Sequence, residues 1–475
     1  MSKVQAKPVR GDKSQPPKGE PIVVKDLYAK REKIYPRQVH GIFAKIRVLS
    51  VFFLLGIYYF TPWIQWNSRQ AILLDLPARK FHFFNITFWP QDFIYLALLL
   101  IICALGLFLF TAFAGRIWCG YACPQTVWTE TFIWMEEFFE GNRNKRMKLD
   151  KMPWNAEKIT RKTLKHSFWV VFALFTGYTF VGYFSPIREL WDGMLAFTLG
   201  PWETFWIGFY ALATYGNAGR LREQVCIHMC PYARFQSVMF DKDTLIISYD
   251  KERGEKRGKR KKDSDDYQLQ GLGDCIDCYQ CVHVCPTGID IRDGLQYECI
   301  ACAACVDVCD NVMEQMGYPK GLIKYTTEHE EEGQKTQILR PRTFVYSILF
   351  ITLVSLFVYL IATRVPLDVN VIRDRNNLYT ESFDGSIENI FQLRILNMSQ
   401  HTNKYQLKVL GLEGLSIQGE TEFTIPEGEV LTVPLRISTS QDRIPKRSND
   451  IYFEISKTGE EPYTFKAKGK FLGPN

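Results

Sequence analysis

The chain has 475 residues, 47% of them apolar and 14% aromatic, with a formal net charge of +7. That length allows several domains, and the charge taken alone makes no case for a nucleic-acid partner. Its distribution is more informative, because long uncharged runs alternate with basic loops and the stretch from 365 onward has the composition of a soluble β domain.

Residues 1–38, rich in Lys, Pro, Gln and Gly, have the composition of a disordered basic tail. Five candidate membrane spans follow, at 43–61, 90–112, 167–186, 201–219 and 343–362. Each approaches the ~20 apolar residues that cross a bilayer. FIYLALLLIICALGLFLF and FVYSILFITLVSLFVYLIA are the clearest, whereas 201–219 carries Glu203, Gly208 and Gly216. The first span starts too far along a Lys-rich segment to be a cleaved signal peptide. Lys and Arg number 10 in 1–42, 10 in 113–166 and 18 in 219–342, against 3 in 62–89 and 1 in 187–200. The positive-inside rule then puts the N-terminus and both Cys-rich segments in the cytoplasm and the C-terminal domain outside. Of 13 cysteines, Cys103 lies in a span, the other 12 fall on the cytoplasmic side and none is in the C-terminal domain. Thiols in a reducing compartment are metal ligands or redox groups rather than structural disulfides.

The four-span core, 39–240, contains a repeat of about 110 residues. PQDF (90–93) opens one span and CGYACP (119–124) follows it; PWETF (201–205) opens another and CIHMCP (226–231) follows that. Inverted or parallel repeats are common in membrane folds. Cys119/Cys123 and Cys226/Cys230 thus share C-x3-C-P. On a helix, thiols at i and i+4 lie on one face, where they bind a metal ion or form a reactive pair. Thiolates favour Cu(I), zinc or iron–sulfur clusters. The plain alternative, small residues packed at helix ends, is weakened by the recurrence at equivalent positions. His228 and Met229 are copper-competent types but are expected to be packing or surface residues. Asp92 and Glu203 repeat as well; an acid beside Pro in a first turn is ordinary capping, and near a membrane face it can also bind a cation or carry protons.

Segment 241–265 contains KERGEKRGKRKK (251–262). No aromatic residue interleaves with these charges, so a solvated membrane-proximal linker is expected rather than a nucleic-acid site. Domain 266–340 then carries C-x2-C-x2-C-x3-C twice, as Cys275, Cys278, Cys281 and Cys285 with a following Pro, and as Cys299, Cys302, Cys305 and Cys309 followed by Asp310. This is the two-cluster ferredoxin spacing, in which the fourth cysteine of each run ligates the other cluster. Cys275, Cys278, Cys281 and Cys309 are expected to hold one [4Fe–4S] cluster; Cys299, Cys302, Cys305 and Cys285 the second. Zinc knuckles instead pair C-x2-C elements across longer loops. After the fifth span (341–364), strands are expected at 390–396, 405–412, 422–426, 431–438, 450–456 and 463–471. Their spacing suggests an immunoglobulin-like β-sandwich over 365–475. It lacks the Cys…Trp…Cys mark and any catalytic constellation, which suits a docking module.

The whole is expected to be a polytopic α-helical membrane protein of about five spans, with an inserted two-[4Fe–4S] ferredoxin domain and a C-terminal all-β domain. In the order of these parts, over about 35–475, the chain resembles the CcoG/FixG/RdxA family of cytochrome c oxidase accessory proteins. The NapH and NosR proteins have similar cores without this tail. The resemblance implies a cupric reductase of the bacterial inner membrane that supplies Cu(I) for assembly of a cbb-type oxidase, its C-terminal domain periplasmic. It makes the eight ferredoxin cysteines cluster ligands and Cys119, Cys123, Cys226 and Cys230 the copper-reducing or copper-binding set. Implied partners are copper ions, copper chaperones or the oxidase assembly machinery, and an electron donor of unknown identity, since the sequence has no flavin or nicotinamide fingerprint. A homodimer is open. Two alternatives stand beside this: a NapH-type quinol dehydrogenase or electron conduit, with Asp92 and Glu203 as proton carriers, and a scaffold whose clusters only stabilise the fold. Whether the C-x3-C-P thiols hold copper, a further cluster or a disulfide stays open.

Overall fold

The computed structural model describes residues 33–67, 69–260, 267, 269–374, 377–383, 385–459 and 462–474. Most of the expected tail lies outside these residues, but 33–40 is an extended strap packed on the protein. Lys33 and Tyr35 reach Asp150, and Arg37 N–H donates to the His283 carbonyl at 2.9 Å. The expectation of disorder therefore fails for 33–38, because polar composition did not reveal these partners.

Among the described residues, nine α-helices build the part before the ferredoxin domain: α1 (Ile42–Phe60), α2 (Phe93–Ala114), α3 (Ile117–Tyr121), α4 (Pro124–Glu140), α5 (Arg143–Lys151), α6 (Ala156–Val181), α7 (Ile187–Leu195), α8 (Pro201–Thr214) and α9 (Pro231–Met239). Three segments of the described residues are long and apolar enough to cross a membrane, Ile42–Trp63, Pro90–Ala114 and Pro341–Ala362. Side chains such as Phe52, Leu100 and Ile351 point outward on them, as a lipid-facing surface requires. The expected spans at 167–186 and 201–219 fall on α6 and α8. The first turns of α6 carry Lys158, Arg161, Lys162 and Lys165, and α8 is only 14 residues before it passes into a π-helical turn, Tyr215–Leu221. These two pack closely at Gly177, where a Cβ would stand 2.5 Å from the Ile207 carbonyl oxygen.

At its N-terminal end, α2 is tied to the helix Pro341–Ala362 by Asp92 and Arg364, 2.5 Å apart. Gly106 meets Phe350 midway. At the C-terminal end of α2, Arg340 bonds Asp241 and the Ala112 carbonyl, and Arg342 bonds the Met239 carbonyl. These contacts form a neck through which the chain enters and leaves the ferredoxin domain.

Strands Ile246–Tyr249 and Ile323–Thr326 pair antiparallel beyond that neck, with Ile246 opposite Thr326. Ile247, Tyr249 and Ile323 are buried against the cysteine loops. The expected linker at 241–265 is thus corrected: up to 260 it is part of the ferredoxin fold. Its arginines are engaged, Arg253 with Asp274 at 2.5 Å, Arg257 with Glu255 at 2.6 Å and Arg260 stacked on Tyr267 and Tyr318. Residues 261–262 lie outside the described residues.

An unforeseen three-stranded meander, Ile72–Asp75, Lys80–Phe83 and Ile86–Phe88, follows α1. Its Lys80 reaches the Gly428 carbonyl of the C-terminal domain at 3.2 Å. That domain has two packed antiparallel sheets. One contains the long strands Ser386–Asn397 and Val430–Ser440, with Phe391 opposite Leu435; the other contains Asn403–Leu410 and Ser448–Thr458, with Leu407 opposite Ile455. All six expected strands are present. Alternate residues on each face fill the core with Phe391, Leu393, Phe453 and Ile455.

Candidate electron-transfer site

The two C-x3-C-P motifs begin and end in matching backbone conformations, although Ile117–Tyr121 is α-helical and Val225–Met229 π-helical. Gly115 ends α2 at φ 55°, ψ −119°, and Arg222 ends the π-helical turn at φ 48°, ψ −114°. Four residues later come Cys119 and Cys226; four more bring Cys123 and Cys230, each extended and N-capping the helix that begins with Pro124 or Pro231. The expectation that each pair lies one turn apart on a single helix is corrected here. The residue before proline is disfavoured in the α region, so each second cysteine leaves the turn. Gln125 joins the two halves by donating to the carbonyls of Asn217 and Arg222, at 2.9 and 3.1 Å.

The four thiols converge closely enough to perturb one another. Burial, reinforced by Cys123, pushes Cys119 up to about 12, and burial with Cys123 and Cys230 does the same to Cys226; Arg116 opposes both. Burial also raises Cys123, against hydrogen bonds from the Gln125 and Thr126 N–H groups at the start of α4. Cys119 Sγ donates to the buried Gln236 Oε1 at 3.3 Å. Such thiols stay protonated until a soft cation compensates their charge.

The ferredoxin cysteines gather as two crossed sets. Cys275, Cys278, Cys281 and Cys309 line one cavity. Cys285, Cys299, Cys302 and Cys305 line the next, with Cys281 at its edge. Each C-x2-C-x2-C loop places the same two positions in left-handed backbone, Asp277 and Tyr279 in one and Ala301 and Ala303 in the other. That conformation is uncommon without glycine; here it wraps the loop so that Ala301 and Ala304 N–H groups bond the sulfurs of Cys299 and Cys302. Among the described residues, no three His, Cys, Asp or Glu side chains close on a point as the ligands of a single ion would. Ligands of a [4Fe–4S] cube sit on four separate irons, and the crossed sets fit that cluster.

The second set rests directly on the first C-x3-C-P motif. A Cβ on Gly120 would stand 2.8 Å from the Ile300 oxygen, 2.9 Å from the Cys302 Cα and 3.0 Å from the Ala301 oxygen. Arg116 donates to the carbonyls of Tyr297 and Cys299 on one side and Ala233 on the other. Tyr297 Oη donates to the Ile227 carbonyl, inside CIHMCP, at 3.1 Å. Cys226 and Cys302 line a common cavity. Arg47 of α1 donates to the Cys302 carbonyl at 3.0 Å, and Asp307 accepts the N–H groups of Phe43 and Ala44 at 3.2 and 2.7 Å, capping α1 from the ferredoxin domain. Three cysteine quartets therefore lie in series. Arg47, Arg116, Gly120 and Asp307 escaped the sequence reading; the one available signal was a lone arginine, Arg116, at the end of an apolar run.

The other candidates are placed less suggestively. Asp92 accepts the Trp89 N–H and pairs with Arg364, and Glu203 accepts the Gly200 N–H at 2.8 Å, so both make capping contacts. His228 and Met229 are exposed, as is Cys103 on α2.

Residues 221–328 match a family model described as a 4Fe-4S dicluster domain, residues 96–146 a 4Fe-4S binding domain, and residues 357–474 the IG-like fold at the C-terminus of FixG. Protein RdxA of Cereibacter sphaeroides is 41% identical over 84% of this chain and 87% of its own. Protein RdxB of the same organism is 42% identical over 86% and 88%, and the nitrogen fixation protein FixG of Rhizobium meliloti 38% over 82% and 82%.

Proposed function

The chain belongs to the FixG/RdxA family, and on that premise we propose that it reduces Cu(II) at the C-x3-C-P thiols and supplies Cu(I) for assembly of a cbb-type oxidase. The observation that carries this is the packing of Gly120 and Arg116, which brings Cys119, Cys123, Cys226 and Cys230 against the loop of Cys299 and Cys302. Cys275, Cys278, Cys281 and Cys309 would hold one [4Fe–4S] cluster and Cys299, Cys302, Cys305 and Cys285 the other. When bound, such clusters supply single electrons. Copper enters as substrate: Cu(II) takes one electron, and the Cu(I) formed is the softer ion, which thiolates prefer. The buried thiols lose their protons as the ion binds. Arg116 and Arg47 hold the cluster loop to the membrane core.

The topology in this reading has five spans, with the ferredoxin domain cytoplasmic and the β domain periplasmic in the inner membrane. Exposed Phe168, Val171 and Phe175 on α6 and Trp202, Phe205 and Phe209 on α8 support two further lipid-facing helices. Copper chaperones or oxidase assembly factors would receive the ion.

A second reading is favoured by the iron–sulfur model over residues 96–146, which includes Cys119 and Cys123. There the C-x3-C-P quartet holds a further cluster and the chain is an electron conduit of NapH type. Anaerobic stopped-flow separates the two. Pre-reduced protein is mixed with Cu(II) and a Cu(I)-specific chelator, beside Cys226→Ala/Cys230→Ala. Cluster oxidation with Cu(I) release in wild type, lost in the variant, is the expected result. Clusters that stay reduced in wild type reject copper as the acceptor.

A further inference from the structure

A cavity of about 350 Å³ opens beside the π-helical turn, lined by Lys33, Glu136, Lys162, Lys165, Arg220 and Arg222 among others. Its charged side chains belong to a network of ion pairs. Glu136, 1% exposed, meets Arg222 at 2.7 Å, Arg146 at 3.3 Å and Lys33 and Lys165 at 3.5 Å. Glu140 meets Lys165 at 2.7 Å and Lys162 at 2.9 Å. Asp150 meets Lys162 at 2.5 Å and Lys33 at 2.7 Å.

Three carboxylates are thus shared among five cations, Lys33, Arg146, Lys162, Lys165 and Arg222. Each acid already serves at least two of them and Glu137 acts on Arg146 besides, so a small excess of positive charge remains, with Lys33 40% exposed and the other four cations 15% exposed or less. Buried charge without a counter-ion is strongly destabilising. Burial opposes ionisation of Glu136, yet Arg222, Lys33 and Lys165 hold its carboxyl far below its usual range. Lys165 Nζ and the Arg222 guanidinium also stand over the Trp169 ring, at 4.6 and 5.5 Å, which fixes both cations at the cavity wall.

Lysine and arginine converging on one cavity is the chemistry that recognises phosphate. We propose that this cavity binds a phosphate group, as the missing counter-ion of the network, borne by an anionic phospholipid headgroup or by a small soluble phosphate compound. The lining comes from segments that the charge distribution assigns to the cytoplasmic side, where anionic headgroups are available.

The test uses the full-length protein with its clusters, stripped of lipid in neutral detergent. Thermal unfolding is followed against sodium phosphate, with chloride at equal ionic strength as reference. A second arm uses nanodiscs of phosphatidylcholine, with and without a titrated fraction of phosphatidylglycerol. The expected result is a midpoint that rises above the matched control in at least one arm. Lys33→Gln/Lys162→Gln should shift the half-saturating amount by about tenfold or more, since a hydrogen bond to a charged group is lost at each position. Lys466→Gln, in the β domain, should respond like wild type. If the double variant fails to fold, Lys33→Gln alone serves, its side chain being 40% exposed. A response confined to phosphatidylglycerol assigns the phosphate to a headgroup, and one confined to free phosphate assigns it to a soluble compound. No rise over the controls in either arm, or an equal rise in the lysine variants, overturns the proposal.

Discussion

Gly120→Ala tests whether the contact between the ferredoxin loop and the first C-x3-C-P motif is the functional junction. The added methyl would meet the Ile300 oxygen, the Cys302 Cα and the Ala301 oxygen at 2.8–3.0 Å. All three are backbone atoms of a loop whose path is already set by left-handed residues, so no side chain can swing aside. Overpacking of this kind costs ~1–3 kcal/mol. At about 1.4 kcal/mol per tenfold, the population in which the two surfaces are docked falls by roughly five- to 150-fold relative to undocked. Stopped-flow oxidation of the pre-reduced protein by Cu(II) should slow, while the iron content is unchanged. Hydrogen exchange should quicken at 117–121 and 299–303 together. Gly208→Ala, which meets nothing within 4 Å, is the control. If Gly120→Ala transfers electrons at the wild-type rate with unaltered exchange, the junction is not where the structure puts it.

Asp307→Ala removes the cap that α1 receives from the ferredoxin domain, and should cost about 1–2 kcal/mol in thermal or denaturant unfolding of the loaded protein; an unchanged midpoint would deny the cap any role. Cys309→Ser should disturb the spectroscopic signature of the set containing Cys275, whereas Cys285→Ser should disturb that of Cys299, Cys302 and Cys305; the reverse pattern would refute crossed ligation. Breaking the part-buried pair with Asp92→Asn should lower stability by roughly 1–3 kcal/mol, and Asp92→Asn/Arg364→Gln should recover part of it. Lost turnover at full stability would point to proton carriage instead. At Asp150 burial opposes ionisation, but hydrogen bonds from Lys162, Lys33 and Tyr35 hold the carboxyl far below its usual range. A depressed folded-state pKa gives stability that is present above the unfolded value of ~4 and is lost as pH falls below it. Asp150→Asn should therefore flatten the acid limb of the unfolding curve; a limb as steep as in wild type would contradict this.

Periodicity and spacing revealed those features that depend on neighbours in the chain. The strands around Phe391 and Leu407 alternate cleanly because one face of each is core, and the cysteine runs are legible because a cluster loop demands fixed spacing. Helix period alone puts each C-x3-C-P pair on one face, but Pro124 and Pro231 disfavour the α region at Cys123 and Cys230 and carry them off it. The order of 33–40 depends on Asp150 and His283, and the place of Ile246–Tyr249 on Ile323–Thr326. Those partners are too distant in sequence for any window to find. The charged network around Glu136 was equally hidden, its members being spread from Lys33 to Arg222.

The neck between Met239 and Pro341 has a bearing on how such a chain is put together. Entry and exit run side by side as an antiparallel pair, and Arg340 and Arg342 grip Asp241 and Met239 on the opposite side. An insert whose two ends meet imposes almost no geometric demand on its host at the point of entry. The iron–sulfur unit is thus set like a cassette into a loop between two helices, its further demands on the bundle being met at Gly120 and at the cap on α1. The same arrangement lets an engineer bridge the ends with a short turn and ask what the bundle does without its cassette.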